Sequence, residues 1–145
     1  MASFANYDPS KVFVSFMGKT FVGFADGTFV TAERAEDAFS TTVGANGDVT
    51  RVRSRNRMGT VTVTLQAASP TNDDLTSLTL TDEEDGTSYG SLQIKDLNGD
   101  TLISASSAWI KKFPSVEFAV EASNREWVFE CAELIMDVAG STQLE

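Results

Sequence analysis

Residues 60–65 read Thr-Val-Thr-Val-Thr-Leu. Val61, Val63 and Leu65 alternate with Thr60, Thr62 and Thr64, so an extended chain carries one apolar face and one hydroxyl face, the pattern of a half-buried strand. Immediately upstream, residues 51–57 read Arg-Val-Arg-Ser-Arg-Asn-Arg, with four arginines also at a period of two. A four-residue turn from Asn56 to Gly59 pairs the two runs as one hairpin, Val49 to Leu65. Arg55 then faces Thr60, Arg53 faces Thr62 and Arg51 faces Thr64, while Val52 shares the other face with Ser54, Val61, Val63 and Leu65. A slip of one residue would mix the two faces, so this register is strongly specified. Downstream, Ser69-Pro70 stops the strand and predicts a helix over about residues 71–80. Thr71 or Asn72 serves as N-cap, Asp73 and Asp74 occupy the first turn, and Leu75, Leu78 and Leu80 face inward. The acidic run Asp82-Glu83-Glu84-Asp85 reads as a solvated loop after the helix.

The remaining punctuation is of the same β kind. Asp26-Gly27, Asn46-Gly47, Asp85-Gly86 and Asn98-Gly99 are hairpin-type dipeptides. Lys11–Phe16 is answered by Thr20–Phe24, and Thr28–Thr31 follows the Asp26-Gly27 turn. Val116, Phe118 and Val120 alternate with Glu117, Ala119 and Glu121. Trp127, Phe129 and Cys131 alternate with Glu126, Val128 and Glu130. The apolar phase then moves to Leu134, Met136 and Val138, which a bulge near Ala132-Glu133 reconciles with one buried face. The expected fold is mainly β: a β-sandwich or flattened barrel of two antiparallel sheets with one flanking α-helix. It forms a single domain over residues 1–145, with flexible segments at 1–9 and 139–145.

Composition narrows the function. The net charge is −10, which argues against a general nucleic-acid binder, since those carry a basic footprint. Histidine is absent, which removes the commonest general base, the commonest metal ligand and every Ser-His or Cys-His pair. The single Cys131 has no internal disulfide partner, sits among inward-facing aromatics and reads as inert core. No apolar run is long enough to cross a membrane as a helix, and the first ten residues lack the pattern of a secretory leader. The expectation is a protein made in a reducing cytoplasm, without cofactor or metal.

Few residues stand out as chemistry. Arg51, Arg53, Arg55 and Arg57 fit three readings: an interface with an acidic surface, a charged guard on a strand edge, or a phosphate site. Asp96, Asn98 and Asp100 begin like a calcium loop but lack its distal glutamate, and a type I′ turn accounts for Asn98-Gly99. The carboxylate pairs Glu117 with Glu121 and Glu126 with Glu130 lie on open alternating strands, where nothing desolvates one member for acid–base work. An enzyme would have to work with carboxylates alone, and no phosphate loop, zinc spacing or nucleophile elbow occurs.

Several stretches resemble the tail tube proteins of contractile-tailed bacteriophages. They are Ser69-Pro70-Thr71-Asn72-Asp73-Asp74-Leu75 after the Thr-Val strand, Ile94-Lys95-Asp96-Leu97-Asn98-Gly99, Ala108-Trp109-Ile110 with Pro114, and Arg125-Glu126-Trp127 with Cys131-Ala132-Glu133-Leu134. They run in order from about residue 10 to 140. Val138-Ala139-Gly140-Ser141 departs from the glycine pair expected there. The resemblance implies a structural virion protein, not an enzyme. Hexameric rings would stack into the inner tail tube, the conduit for viral double-stranded DNA during ejection. Implied partners are further copies of the chain, the tail sheath, the baseplate or tube initiator and the tail terminator. The tape measure protein and DNA would pass through the lumen without specific binding. The virion tail tube is the implied location. Two alternatives stay open: the tube of a DNA-free contractile injection system, and a monomeric β-sandwich ligand-binding module with an exposed aromatic platform. In a tube, Glu117 and Glu121 are the expected lumen-facing residues, because Val116, Phe118 and Val120 on the other strand face belong in the core. Arg51, Arg53, Arg55 and Arg57 are the expected ring-stacking residues, on a hairpin long enough to reach the next ring.

Overall fold

The alternation at residues 60–65 yields the strand it predicts, but with other neighbours. The computed structural model describes residues 6–139. A 3-10 turn at Pro9–Lys11 leads into β1 (Val12–Phe16), β2 (Lys19–Thr20), β3 (Val30–Arg34), β4 (Phe39–Val43), β5 (Val49–Arg53) and β6 (Gly59–Gln66). Helix α1 (Thr71–Asp85) follows, then β7 (Gly90–Asp96), β8 (Leu102–Lys112), β9 (Asn124–Cys131) and β10 (Ile135–Asp137). The strands form two antiparallel sheets. One has eight strands in the order β2-β1-β7-β8-β9-β6-β3, with β10 also on β8; the other is the two-stranded ribbon β4-β5.

β6 therefore pairs with β3 and β9, not with the arginine run. Val61 stands opposite Ala32 and Phe129, and Val63 opposite Val30 and Trp127. The expected Val49–Leu65 hairpin does not form. Arg51 and Arg53 lie on β5 opposite Thr41 and Phe39, while Arg55 and Arg57 belong to the irregular link into β6. Central position explains the choice: β6 buries Val61, Val63 and Leu65 completely, which an isolated hairpin could not do.

The large sheet curls so that strands distant in the order meet inside. Phe16 of β1 packs edge-on against Phe129 of β9, with ring centroids 5.1 Å apart. Residues 21–25 return from β2 toward β6, where Phe24 bridges to Leu65 and the Gln66 N–H donates to the Gly23 carbonyl at 2.8 Å. The sheet ends approach but the barrel is not closed, and the mainly β architecture with one flanking helix stands. The β1-β2 turn is the tightest, with Met17 and Gly18 both at positive φ (51° and 82°), the demand of a type I′ hairpin. Asn98-Gly99 turns without positive φ at either residue; Asp96 Oδ1 accepts from the Asn98 N–H and side chain, both at 2.9 Å.

Helix α1 is longer than expected. Asp82–Asp85 forms its last turn, and Gly86 in the left-handed region (φ 69°) ends it, so Asp85-Gly86 is a helix stop and not a hairpin. Pro70 occupies the N-cap position without a side-chain bond, and Ser69 Oγ accepts from the Thr71 N–H instead. Leu75 is fully buried and Leu78 packs against the core, but Leu80 is exposed; Thr79 is buried in its place, donating to the Leu75 carbonyl.

Two further expectations change at the far end. Residues 113–123, between β8 and β9, form no strand; Val116, Phe118 and Val120 are exposed instead of buried. After Cys131 the apolar phase does move to Leu134 and Met136, though Val138 is exposed. β8 makes the same change, from Ile103 and Ala105 to Ala108 and Ile110, with two residues opposite one of β7 between Gly90 and Leu92. Because both strands shift at one level, Cys131 pairs with Ala108 and Ile135 with Ser104 in an unbroken count. Residues 1–5 and 140–145, including Gly140, lie outside the described residues. At the near end, Asp8 exchanges two hydrogen bonds with Asn98, at 3.0 and 2.8 Å.

Candidate functional site

Among the described residues, the β4-β5 ribbon is the one pair of strands whose residues are all exposed. Its register places Phe39, Thr41, Val43, Val49, Arg51 and Arg53 on one face, and Ser40, Thr42, Thr50 and Val52 on the other. Phe39, Val43, Val49 and Val52 are 45–69% exposed. Arg51 lies over the Phe39 ring, 4.2 Å from its centroid, a cation–π contact that holds the guanidinium on this face. The turn at residues 44–47 closes the ribbon with Gly47 at φ 86°. This is the hairpin that Asn46-Gly47 signals. The preceding Phe39-Ser40-Thr41-Thr42-Val43 run completes the signal, which the competing arginine alternation obscured.

Arg53, Arg55 and Arg57 come together at the base of the ribbon, where they line an open recess with Ser54, Ala132 and Glu133. Arg57 and Glu133 make an exposed ion pair at 3.5 Å. No ion pair holds Arg51, Arg53 or Arg55 among the described residues, so three of four cations are available to an external acid.

Glu117 and Glu121 occur on the 113–123 loop, with no ion pair to either among the described residues. Phe118 is 90% exposed and Val120 fully so. The loop root is anchored: Phe113 packs against Trp127 at 6.2 Å between centroids, and the Ser123 hydroxyl donates to the Glu117 carbonyl at 2.9 Å. Trp127 is itself fixed, its indole N–H donating to Asn72 Oδ1 at 2.9 Å. The structure therefore does not join the arginines to Glu117 and Glu121 within one chain. It also removes the strand premise for a lumen-facing position of those glutamates.

Nothing in these surfaces is built for covalent chemistry. Burial, then the nearby Glu130 charge, pushes the Cys131 thiol up to about 11, so it stays protonated and unreactive. Among the described residues no cluster of acidic or thiol side chains is arranged to hold a metal ion.

Comparison with known proteins adds an independent view. The family described as "Bacteriophage PhiTE tail tube protein" matches residues 10–139. "Structural protein ORF10" of Pseudomonas phage KPP10 is 30% identical over 148 residues, covering 97% of this chain and 86% of that protein. In fold, the chain is similar to the anti-feeding prophage tube-terminating cap, with a TM-score of 0.65 at 12% identity over 96% of this chain and 95% of that one. It is equally similar to a chain of the sheath-tube complex of the PVC extracellular contractile injection system, with a TM-score of 0.65 at 13% identity over 92% and 93% of the two chains.

Proposed function

The chain belongs to the bacteriophage tail tube protein family, and from that premise we propose that it assembles as hexameric rings that stack into the inner tube of a contractile phage tail. The protein is a structural component of the virion, not an enzyme. In this reading the tube conducts double-stranded DNA during ejection, sits inside a sheath, and ends on initiator and terminator proteins. A net charge of −10 per subunit favours passage without sticking, because like charges keep phosphates off the wall within a Debye length of about 8 Å.

The observation that carries the reading is the ribbon: two strands with open edges and four exposed large apolar side chains, a surface that a monomer leaves unburied. A contact between two different patches of identical subunits closes into rings or continues as a filament. Arg53, Arg55 and Arg57 at the ribbon base are proposed to meet carboxylates of the adjacent ring. Exposed pairs contribute only about 0.2–1 kcal/mol each, so they select register more than they add affinity.

Sedimentation and negative-stain microscopy of the purified protein test this directly. Rings or tubes are expected. A lone 15.6 kDa species at high concentration would count against it and in favour of a monomeric binding module. Arg53→Ser, Arg55→Ser and Arg57→Ser together should leave the subunit folded and impair polymerisation, and wild-type tubes should form better at low salt. Capsid and terminase genes nearby would separate a DNA-carrying tail from a DNA-free injection tube.

A further inference from the structure

Two segments of the described chain leave large apolar side chains exposed in a cluster. The ribbon exposes Phe39, Val43, Val49 and Val52; the loop between β8 and β9 exposes Phe113, Val116, Phe118 and Val120. Together they hold eight of the seventeen exposed large hydrophobics among the described residues. Their charges are opposite. The ribbon carries Arg51 and Arg53 beside its valines, and the loop carries Glu117 and Glu121 between its own apolar residues. None of these four charged groups has an ion-pair partner among the described residues.

We infer that the loop Ser115–Glu121 of one subunit docks on the arginine-bearing face of the β4-β5 ribbon of a second copy. This rests on the assembly reading above and names the partner surfaces within it. Phe118 and Val120 cover Val43 and Val49, while Glu117 and Glu121 meet Arg51 and Arg53. The acidic run Asp82 to Asp85 offers charge to the arginines but a smaller apolar surface, with Leu80 and Tyr89 the exposed large hydrophobics nearby among the described residues. The loop matches the ribbon in both respects. It follows that Glu117 and Glu121 stand at a contact between subunits and not on the lumen wall.

Charge reversal on either side, then on both, tests the pairing. Arg51→Glu with Arg53→Glu should raise the subunit concentration needed for tubes by about tenfold or more. Glu117→Arg with Glu121→Arg should do the same, and all four changes together should bring it back near the wild-type value. Phe118→Ser should weaken assembly without any change of charge. Circular dichroism and melting of the subunits should be unaltered throughout, because every changed side chain is exposed. Tubes that form equally well in either reversal overturn the contact and leave the tube function standing. Reversals that each block assembly but do not rescue one another overturn this pairing as well, since each surface then meets something else. A wild type that never assembles overturns both proposals.

Discussion

β6 and β5 are built from similar residues and end differently. β6 reads Gly-Thr-Val-Thr-Val-Thr-Leu-Gln and β5 reads Val-Thr-Arg-Val-Arg, both rich in the branched residues that suit a pleated strand. In β6 every second residue is buried, because β3 and β9 occupy its two edges and Leu75 with Phe129 belong to the same buried cluster. In β5 nothing is buried, and β4 is its only neighbour among the described strands. A two-stranded ribbon by itself is marginal in water. The comparison teaches that alternation defines the two faces of a strand but not what will cover them. For β6 the cover lies in the same chain; for β5 none lies among the described residues.

The largest expected effect is at the core. Trp127→Ala removes a fully packed indole and its hydrogen bond to Asn72, and should destabilise the subunit by about 3–5 kcal/mol in denaturant titration. Gly59→Ala comes next. A Cβ there would sit 2.7 Å from the Leu134 Cβ and 2.9 Å from the Glu33 carbonyl oxygen, so a loss of about 1–3 kcal/mol is expected. The Cys131 thiol gives a smaller, pH-dependent term. Its folded value of about 11 lies above the ordinary 9.0, so the unfolded chain releases this proton first. Its contribution is complete below pH 9 and is lost as pH rises toward 11, so melting of the wild type should fall more steeply over that window than melting of Cys131→Ala. The smallest effect on the subunit should come from the ribbon: Val43→Ser, Val49→Ser and Val52→Ser together should shift its stability by less than about 0.5 kcal/mol per site while reducing assembly. A ribbon variant that unfolds the subunit as Trp127→Ala does would break the comparison.

Legibility in the sequence followed the same division. Val12–Phe16, the β6 alternation, the start of α1 at Thr71 and the Trp127-Phe129-Cys131 face were all readable, because each buries its apolar set within the chain. Local pairing points the arginine run at β6, while its partner in the structure, Phe39–Val43, lies across the Asn46-Gly47 turn. Val116 to Val120 alternates as well as any core strand, yet both edges of β9 are already taken by β6 and β8. No site in the sheet remained for it next to β9. The residues suited to assembly were therefore recognisable by type, and their placement depended on competition between strands that a linear pattern does not express.

The shared phase change of β8 and the β9-β10 line also limits how the chain can vary in length. Deleting one residue near Ala132 would turn Leu134 and Met136 outward while Ile103 and Ala105 stayed inward, and deleting Ser106 would do the converse. Only paired losses or gains, one on each strand, keep both halves of the sheet's inner face lined. Relatives of this protein should therefore gain or lose residues at these two places together, and a lone insertion at either should be rare.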